Sequence, residues 1–408
     1  MKIFRIYPLF FILILFSCTT TNKLENSKNE QKLDIVICGD IMAHTQNFKM
    51  KNFDLIWDDI RPITQSSDLT IANIEAPIND NIPFENYPTF NMQYSYPQAA
   101  IDAGINVITI ANNHTNDKLK NGILSTAKWA KEKTQEYENS LRPIYISGLK
   151  KDVLEENPTL NEVSFCSLEK KDFKILFLGV TQSLNTLDSA KYINFFPNTQ
   201  KSRIKLIETI QKIKTENPSD IFILALHTDE PEYILDIDEK RRQFYYELLN
   251  AGVDILWANH CHVIKPIEYI GSSKTGKIKK VILYSTGNTI SGQRRRPNFN
   301  NPNAIINYTG DGTIVSLQIK KDINGIYLEN SKINYITTLI DDQNNYLIKV
   351  LNENLYNSLE NTKNHATDSQ EQNYQSILLN NKKALQWKNF LIKREEILRQ
   401  IKEITTWQ

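Results

Sequence analysis

Six histidines occur in this chain of 408 residues, and five of them (His44, His114, His227, His260 and His262) stand at or just beyond the end of a short apolar run. Acidic and amide side chains occupy the same kind of place: Asp40 follows Leu33–Cys38, Glu75 follows Leu69–Ala72, and Asn113 follows Val107–Ala111. Carboxylates, an amide oxygen and imidazoles form a mixed oxygen and nitrogen donor set. Such a set suits Mn, Fe, Co or Zn better than Ca. There is no Cys-x-x-Cys pair, which argues against a structural zinc site. The His260-x-His262 spacing would turn both rings to one face of a regular strand; at a strand end they could face one or two adjacent ions. A carboxylate such as Glu75 could bridge two metals about 3.5–4 Å apart. No single piece decides this, since Gly39-Asp40 reads equally well as a turn. The weight lies in the ordered set, and the chemistry it supports is metal-assisted hydrolysis. The sixth histidine, His365, lies in a polar C-terminal stretch and reads as incidental.

These residues need a scaffold that delivers strand ends to one place. Apolar runs at Leu33–Cys38, Leu69–Ala72, Val107–Ala111, Ile175–Val180, Ile221–Leu226, Val253–Ala258 and Val281–Tyr284 are short and nearly continuous. That pattern predicts strands buried on both faces. Helical stretches lie between several of them: one capped by Asn116 or Asp117 and running to about Glu138, one over Lys201–Thr215 and one over Asp238–Asn250. Strands alternating with helices predict an α/β fold with a substantial sheet. In open α/β sheets, ligand sites form beyond the carboxyl ends of the strands, where the polar residues fall.

The flanks read differently. Residues 1–17 carry Lys2 and Arg5 ahead of an apolar run from Ile6 to Phe16, too short for a comfortable membrane span. The run ends in Leu15-Phe16-Ser17-Cys18, which resembles a bacterial lipobox. The resemblance implies signal-peptide removal, lipidation of Cys18 and anchoring to a membrane of the cell envelope, facing out of the cytoplasm. Residues 18–32 read as a polar tether, 33–340 as the main domain and 341–408 as a helical C-terminal extension with a joint at Asn361–Gln370. Cys38, Cys166 and Cys261 remain, an odd number that predicts at least one free thiol. The Arg294-Arg295-Arg296-Pro297 cluster reads as a solvated loop able to meet an anion. A formal charge of +1 excludes a broadly basic nucleic-acid binder, and 40% hydrophobic residues exclude wholesale disorder.

Six stretches together resemble the bacterial capsule-synthesis, poly-γ-glutamate-biosynthesis (CapA/PgsA-like) family, a branch of the calcineurin-like metallophosphoesterases. They are GDIMAH (39–44), SDLTIANIEAPI (67–78), AGINVITIANNHTND (103–117), ILALHTDEPEY (223–233), AGVDILWANHCHVIKPIEY (251–269) and LYSTGN (283–288). The resemblance covers roughly residues 33–320 and implies an α/β/β/α sandwich with two divalent transition-metal ions at the strand ends. Carried over residue by residue, it implies that Asp40 and His262 hold one ion. Asn113, His227 and His260 would hold the other, with Glu75 bridging and His114 as the acid–base histidine. The wider superfamily has Asp-x-His in its first motif, whereas position 42 is Met; His44, two residues later, is the candidate for a metal or substrate contact. Thr228-Asp229-Glu230 stands where the capsule family often has Trp-Gly. Two functions follow as expectations. One is an envelope-anchored phosphoester hydrolase working with the capsule-synthesis machinery. The other is a non-catalytic lipoprotein that assembles or retains an anionic envelope polymer.

Overall fold

The computed structural model describes residues 30–360 and 379–408. The leader, the Cys18 lipidation site, most of the tether, His365 and the Asn361–Gln370 joint lie outside the described residues. Among the described residues no helix is long and apolar enough to cross a membrane.

Fifteen strands form among them: β1 (Gln31–Ile41), β2 (Leu69–Ile74), β3 (Val107–Thr109), β4 (Tyr145–Ser147), β5 (Cys166–Lys170), β6 (Phe173–Thr181), β7 (Ile221–His227), β8 (Ile255–Asn259), β9 (Ile267–Ser272), β10 (Lys277–Leu283), β11 (Asn288–Ile290), β12 (Asp311–Asp322), β13 (Gly325–Ile340), β14 (Tyr346–Val350) and β15 (Ile404–Trp407). Their order is β4-β3-β2-β1-β12-β13-β10-β8-β7-β6-β5, with β11 on β1, β14 on β13, β9 on β10 and β15 on β9. The link between the two halves is thin: β13 and β10 share the single register pair Ile278↔Leu328. The ladder therefore folds over on itself as two facing sheets.

Side-chain alternation shows the layers. Ile35 and Ile37 of β1 share one core with Ile175 and Phe177 of β6, Ile223 of β7 and Trp257 of β8. The intervening Val36 and Cys38 point the other way, into a core with Ile123 and Trp129 of the helix Leu119–Glu136. Leu176, Leu224 and Leu256 pack outward on Leu206 and Ile210 of the helix Gln200–Glu216 and on Phe244 and Leu248 of the helix Glu239–Asn250. Successive strand residues point to opposite faces, so both faces of both sheets are apolar, and the runs lack a polar alternate. The result is a mixed α/β sandwich of helices, sheet, sheet and helices. A fully buried Ile, Leu or Phe contributes about 1.5–3 kcal/mol.

Three expectations change. The segment after residue 340 is only partly helical: the helices Glu353–Glu360 and Asn381–Leu398 form, but β14 pairs antiparallel with β13 and β15 parallel with β9. The first of these is a hairpin. Asp341 Oδ1 accepts from the backbone N–H of Gln343 and Asn345, and Asn344 turns at φ 61°, a tolerable conformation for Asn. Arg294 is not in a solvated loop. It is buried, paired with Asp311 Oδ1 at 2.7 Å, and it donates to Asn307 O and Thr338 O. Arg394 of the C-terminal helix pairs with Asp311 Oδ2 at 2.8 Å, so one carboxylate ties that helix to the sheet, while Arg295 and Arg296 are exposed. Finally, Asn116 and Asp117 do not cap the following helix. It starts at Leu119 behind Lys118 with no side-chain cap, because Asn116 donates to Thr186 O and Asp188 O and Asp117 is taken by His114. Cys38, Cys166 and Cys261 are all free thiols.

Candidate metal centre

Two parallel sets, β3-β2-β1 in one half and β7-β8 in the other, present their carboxyl ends at one edge of the sandwich. Asp40 lies near the end of β1, and its N–H donates to Gly287 O at 3.1 Å. That approach needs Gly39, since a Cβ there would stand 1.9 Å from Gly287 O. Glu75 follows β2, and its N–H donates to Ile41 O at 3.0 Å. His227 is the last residue of β7, in register with Asn259 at the end of β8. His260 and His262 lie past β8 with φ of 112° and 55°. They therefore stand in a left-handed turn rather than on one strand face. Positive φ is strained for a residue with a β-carbon, and such strain gathers at functional sites.

The turn brings the rings together. His227 Nε2 lies 2.9 Å from Asn113 Oδ1 and 3.1 Å from His260 Nδ1. His262 Nδ1 lies 3.0 Å from Asn288 Oδ1 and 3.2 Å from Asp40 Oδ2. Glu75 Oε1 stands between them, 3.7 Å from both His227 Nε2 and His262 Nε2. Two sets of three donor atoms each fall within 4.8 Å of one another: Glu75 with His260 and His262, and Asp40 with Glu75 and His227. Glu75 belongs to both. The six side chains named as ligands thus meet in one pocket, and all six are buried.

Hydrogen bonding around the carboxylates is lopsided. Asp40 Oδ1 accepts from Asn73 Nδ2 at 2.7 Å and Asn259 Nδ2 at 2.6 Å. Glu75 Oε2 accepts from Asn73 Nδ2 at 3.2 Å, and Asn112 Nδ2 donates to Asn73 Oδ1 at 3.0 Å. Asp40 Oδ2 and Glu75 Oε1 are buried without a hydrogen-bond donor. Buried polar atoms are nearly always satisfied, and two orphaned carboxylate oxygens facing three imidazoles fit a divalent cation.

The pocket's titration follows. Burial, then the neighbouring Asp40, pushes Glu75 well above the usual carboxylate range. Burial, then His260, holds His227 well below the usual imidazole value, and burial with His262 lowers His260 to about 4. Burial also works against a charged His262, but the adjacent Asp40 carboxylate outweighs it and raises that imidazole. The neutral imidazole favoured at His227 and His260 is the ligating form.

His114 and His44 stand outside both donor sets. His114 Nδ1 lies 2.7 Å from Asp117 Oδ2, and Asp117 also accepts from Phe90 N at 2.8 Å and from Asn185 Nδ2 at 3.1 Å. Asp117 thereby orients the imidazole. His44 Nδ1 accepts from Gly292 N at 3.1 Å. Met42, where the wider superfamily has its first-motif histidine, is buried in the core. Asn73, Asn112, Asn259 and Asn288 fall within the family-like motifs but carry no role in the sequence reading, and Asp117 is read there only as a helix cap. For Asn73, Asn112 and Asn259 the signal is local, an amide within two residues of a ligand at a strand end where a second layer orients the first; Asn288 is 26 residues from His262 and carries no such signal.

Residues 34–293 match the family model described as bacterial capsule synthesis protein PGA_cap. The chain belongs to this family. Within capsule biosynthesis, the chain is 26% identical over 302 residues to the PGA biosynthesis protein CapA of Bacillus subtilis (strain 168), covering 71% of this chain and 72% of that one. It is 24% identical over 277 residues to the capsule biosynthesis protein CapA of Bacillus anthracis, covering 65% of this chain and 61% of the relative. Among solved structures it is similar to a phosphatase from Mycoplasma pneumoniae at 12% identity and a TM-score of 0.45, over 75% of this chain and 94% of that one. The family match spans all six ligand-type residues as well as His44 and His114, and it stops short of the C-terminal hairpin and helices.

Proposed function

We propose that this PGA_cap-family chain is a metal-dependent phosphoester hydrolase of the cell envelope, anchored through lipid on Cys18 and working in the synthesis of an envelope polymer. The observation that supports hydrolysis is the pair of orphaned oxygens, Asp40 Oδ2 and Glu75 Oε1, buried among three imidazoles. Asp40 and His262 hold one side of the pocket, Asn113, His227 and His260 the other, and Glu75 stands between. Divalent cations bound there supply Lewis acidity toward a phosphoryl group. Asn73 and Asn259 fix the Asp40 carboxylate, so the pocket needs no rearrangement as charge develops. The Nδ1–H of His114 donates to Asp117, and in the imidazolium form the Nε2–H is the proton delivered to the leaving ester oxygen as the phosphorus–oxygen bond breaks. Water supplies the hydroxyl that phosphorus gains.

The test is metal content together with turnover of a chromogenic phosphodiester. Wild type is expected to carry two transition-metal ions per chain and to hydrolyse the ester. Asn113→Ala and His260→Ala are expected to lose turnover while keeping a native circular-dichroism spectrum. Full activity in metal-free His260→Ala protein would refute the reading. The buried Met42 favours a second reading, polymer retention without catalysis, because it removes one imidazole from the first motif. That reading predicts no bound metal and thermal stabilisation by an anionic polymer.

A further inference from the structure

His44 has the chemistry of a ligand and the placement of something else. Its Nδ1 is engaged: the Gly292 N–H donates to it at 3.1 Å. The contact is built in, since a Cβ on Gly292 would stand 2.6 Å from His44 Cβ and 2.9 Å from Asn47 Oδ1. The His44 backbone N–H is held as well, donating to the buried Asn47 Oδ1 at 3.0 Å. With its lone pair facing a backbone donor, Nδ1 cannot bind a cation, and the neutral ring must carry its proton on Nε2. Burial first, then the fields of His262, His114 and Arg295, holds the ring below the ordinary imidazole value, at about 3, which favours the neutral form.

The distal nitrogen is free to act. Among the described residues Nε2 has no hydrogen-bond partner, and it is not a buried, unsatisfied atom. His44 is only partly buried, which leaves Nε2 available to a ligand. The ring stands edge-on to Phe90 at 5.0 Å, and Phe90 stands edge-on to His114 at 4.7 Å. Phe90 thus lies between the two imidazoles, against both. The Asn288–Gly292 segment holds both His44 and His262, through Gly292 and Asn288 respectively.

We propose that His44 is a substrate-binding residue and not a metal ligand: its Nε2–H donates a hydrogen bond to a phosphate oxygen of the bound ester. This rests on the phosphoester reading of the site, and its test separates the two. Metal-loaded wild type, His44→Phe and His44→Gln are compared for ions per chain and for affinity toward inorganic phosphate by calorimetry. His44→Phe keeps a ring against Phe90 and loses both nitrogens; His44→Gln keeps a distal donor. The expected result is unchanged metal content in all three, phosphate binding weakened about tenfold or more in His44→Phe, and most of it restored in His44→Gln. Tenfold is the low end for losing one hydrogen bond to a charged group. Should His44→Phe fail to fold, His44→Asn, which keeps an acceptor for Gly292 and drops the distal donor, carries the same comparison. Loss of an ion in the His44 variants would make it a ligand and overturn the proposal. Unchanged phosphate affinity with full metal content would overturn it too, leaving the hydrolase reading intact. Wild-type protein that binds neither metal nor phosphate would remove both.

Discussion

Replacing Glu75 by Gln should make the metal-free protein more stable and the metal-bound protein less so. Glu75 is completely buried beside Asp40, and Oε1 has no donor. Its folded-state proton affinity is raised by burial and by Asp40. A carboxyl whose folded pKa is raised binds more protons folded than unfolded, so its stabilising contribution is complete below its ordinary value of about 4.5 and is lost as pH rises. The loss is about 1.4 kcal/mol per pH unit wherever the folded group is protonated and the unfolded one is not. Between pH 5.5 and 7.5 this amounts to at most about 2.7 kcal/mol, a melting shift of several degrees. Glutamine has nearly the same shape and no such term. In chelator, Glu75→Gln should therefore melt higher than wild type at pH 7.5, with the gap closing toward pH 5. With Mn²⁺ at about a hundred times its Kd, wild type gains about 2.7 kcal/mol, and Glu75→Gln should gain little. Thermal melts across pH, with and without Mn²⁺, read both arms. A Glu75→Gln protein that melts lower than wild type in chelator, or gains as much from Mn²⁺, would refute the reasoning.

Three further outcomes follow from the same geometry. Asp117→Asn should lower kcat on a phosphodiester by about tenfold to a hundredfold, within the range of general acid–base assistance, with metal content unchanged; loss of metal would contradict a role through His114. Arg394→Met should destabilise the fold by about 3 kcal/mol in urea titration, because it breaks a fully buried pair with Asp311; a change below about 1 kcal/mol would mean the helix is held by its apolar face alone. His227 and His260 are both held below the ordinary imidazole value of 6.5, so the unfolded chain takes up more protons just below it. Metal-free Glu75→Gln protein, which lacks the opposing carboxyl, should accordingly lose stability as pH falls from 6.5 toward 4, and chelator melts of that variant that stay flat over the window would contradict the burial of those rings.

Strands and candidate ligands were readable for the same reason: burial on both sheet faces removes polar alternates, so each run such as Ile221–Leu226 ends abruptly at its first polar residue. The helices Gln200–Glu216 and Glu239–Asn250 were legible as the stretches Lys201–Thr215 and Asp238–Asn250, and the structure adds their caps, Thr199 accepting from Ser202 N and Asp238 from Arg241 N. The cap reading misled at Asn116 and Asp117, whose side chains serve the loop at Thr186 and the imidazole of His114. Arg294 misled because a run of three arginines resembles a solvated loop, and only the distant Asp311 reveals that the first is buried. Tyr346–Val350 misled because Leu and Ile at loose spacing fit helix and strand alike, and the deciding turn at Asp341–Asn345 is a matter of side-chain acceptance. The His260-Cys261-His262 turn was legible as chemistry but not as geometry, since nothing local announces positive φ at two non-glycine residues.

The central claim is that Asp40, Glu75, Asn113, His227, His260 and His262 hold cations together. Crystals of the protein loaded with Mn²⁺, measured for anomalous scattering, test it most directly. The account predicts two peaks flanking Glu75 Oε1, one beside Asp40 and His262 and one beside Asn113, His227 and His260. A map without anomalous density in this pocket, with the three imidazoles bonded only to protein, would contradict it.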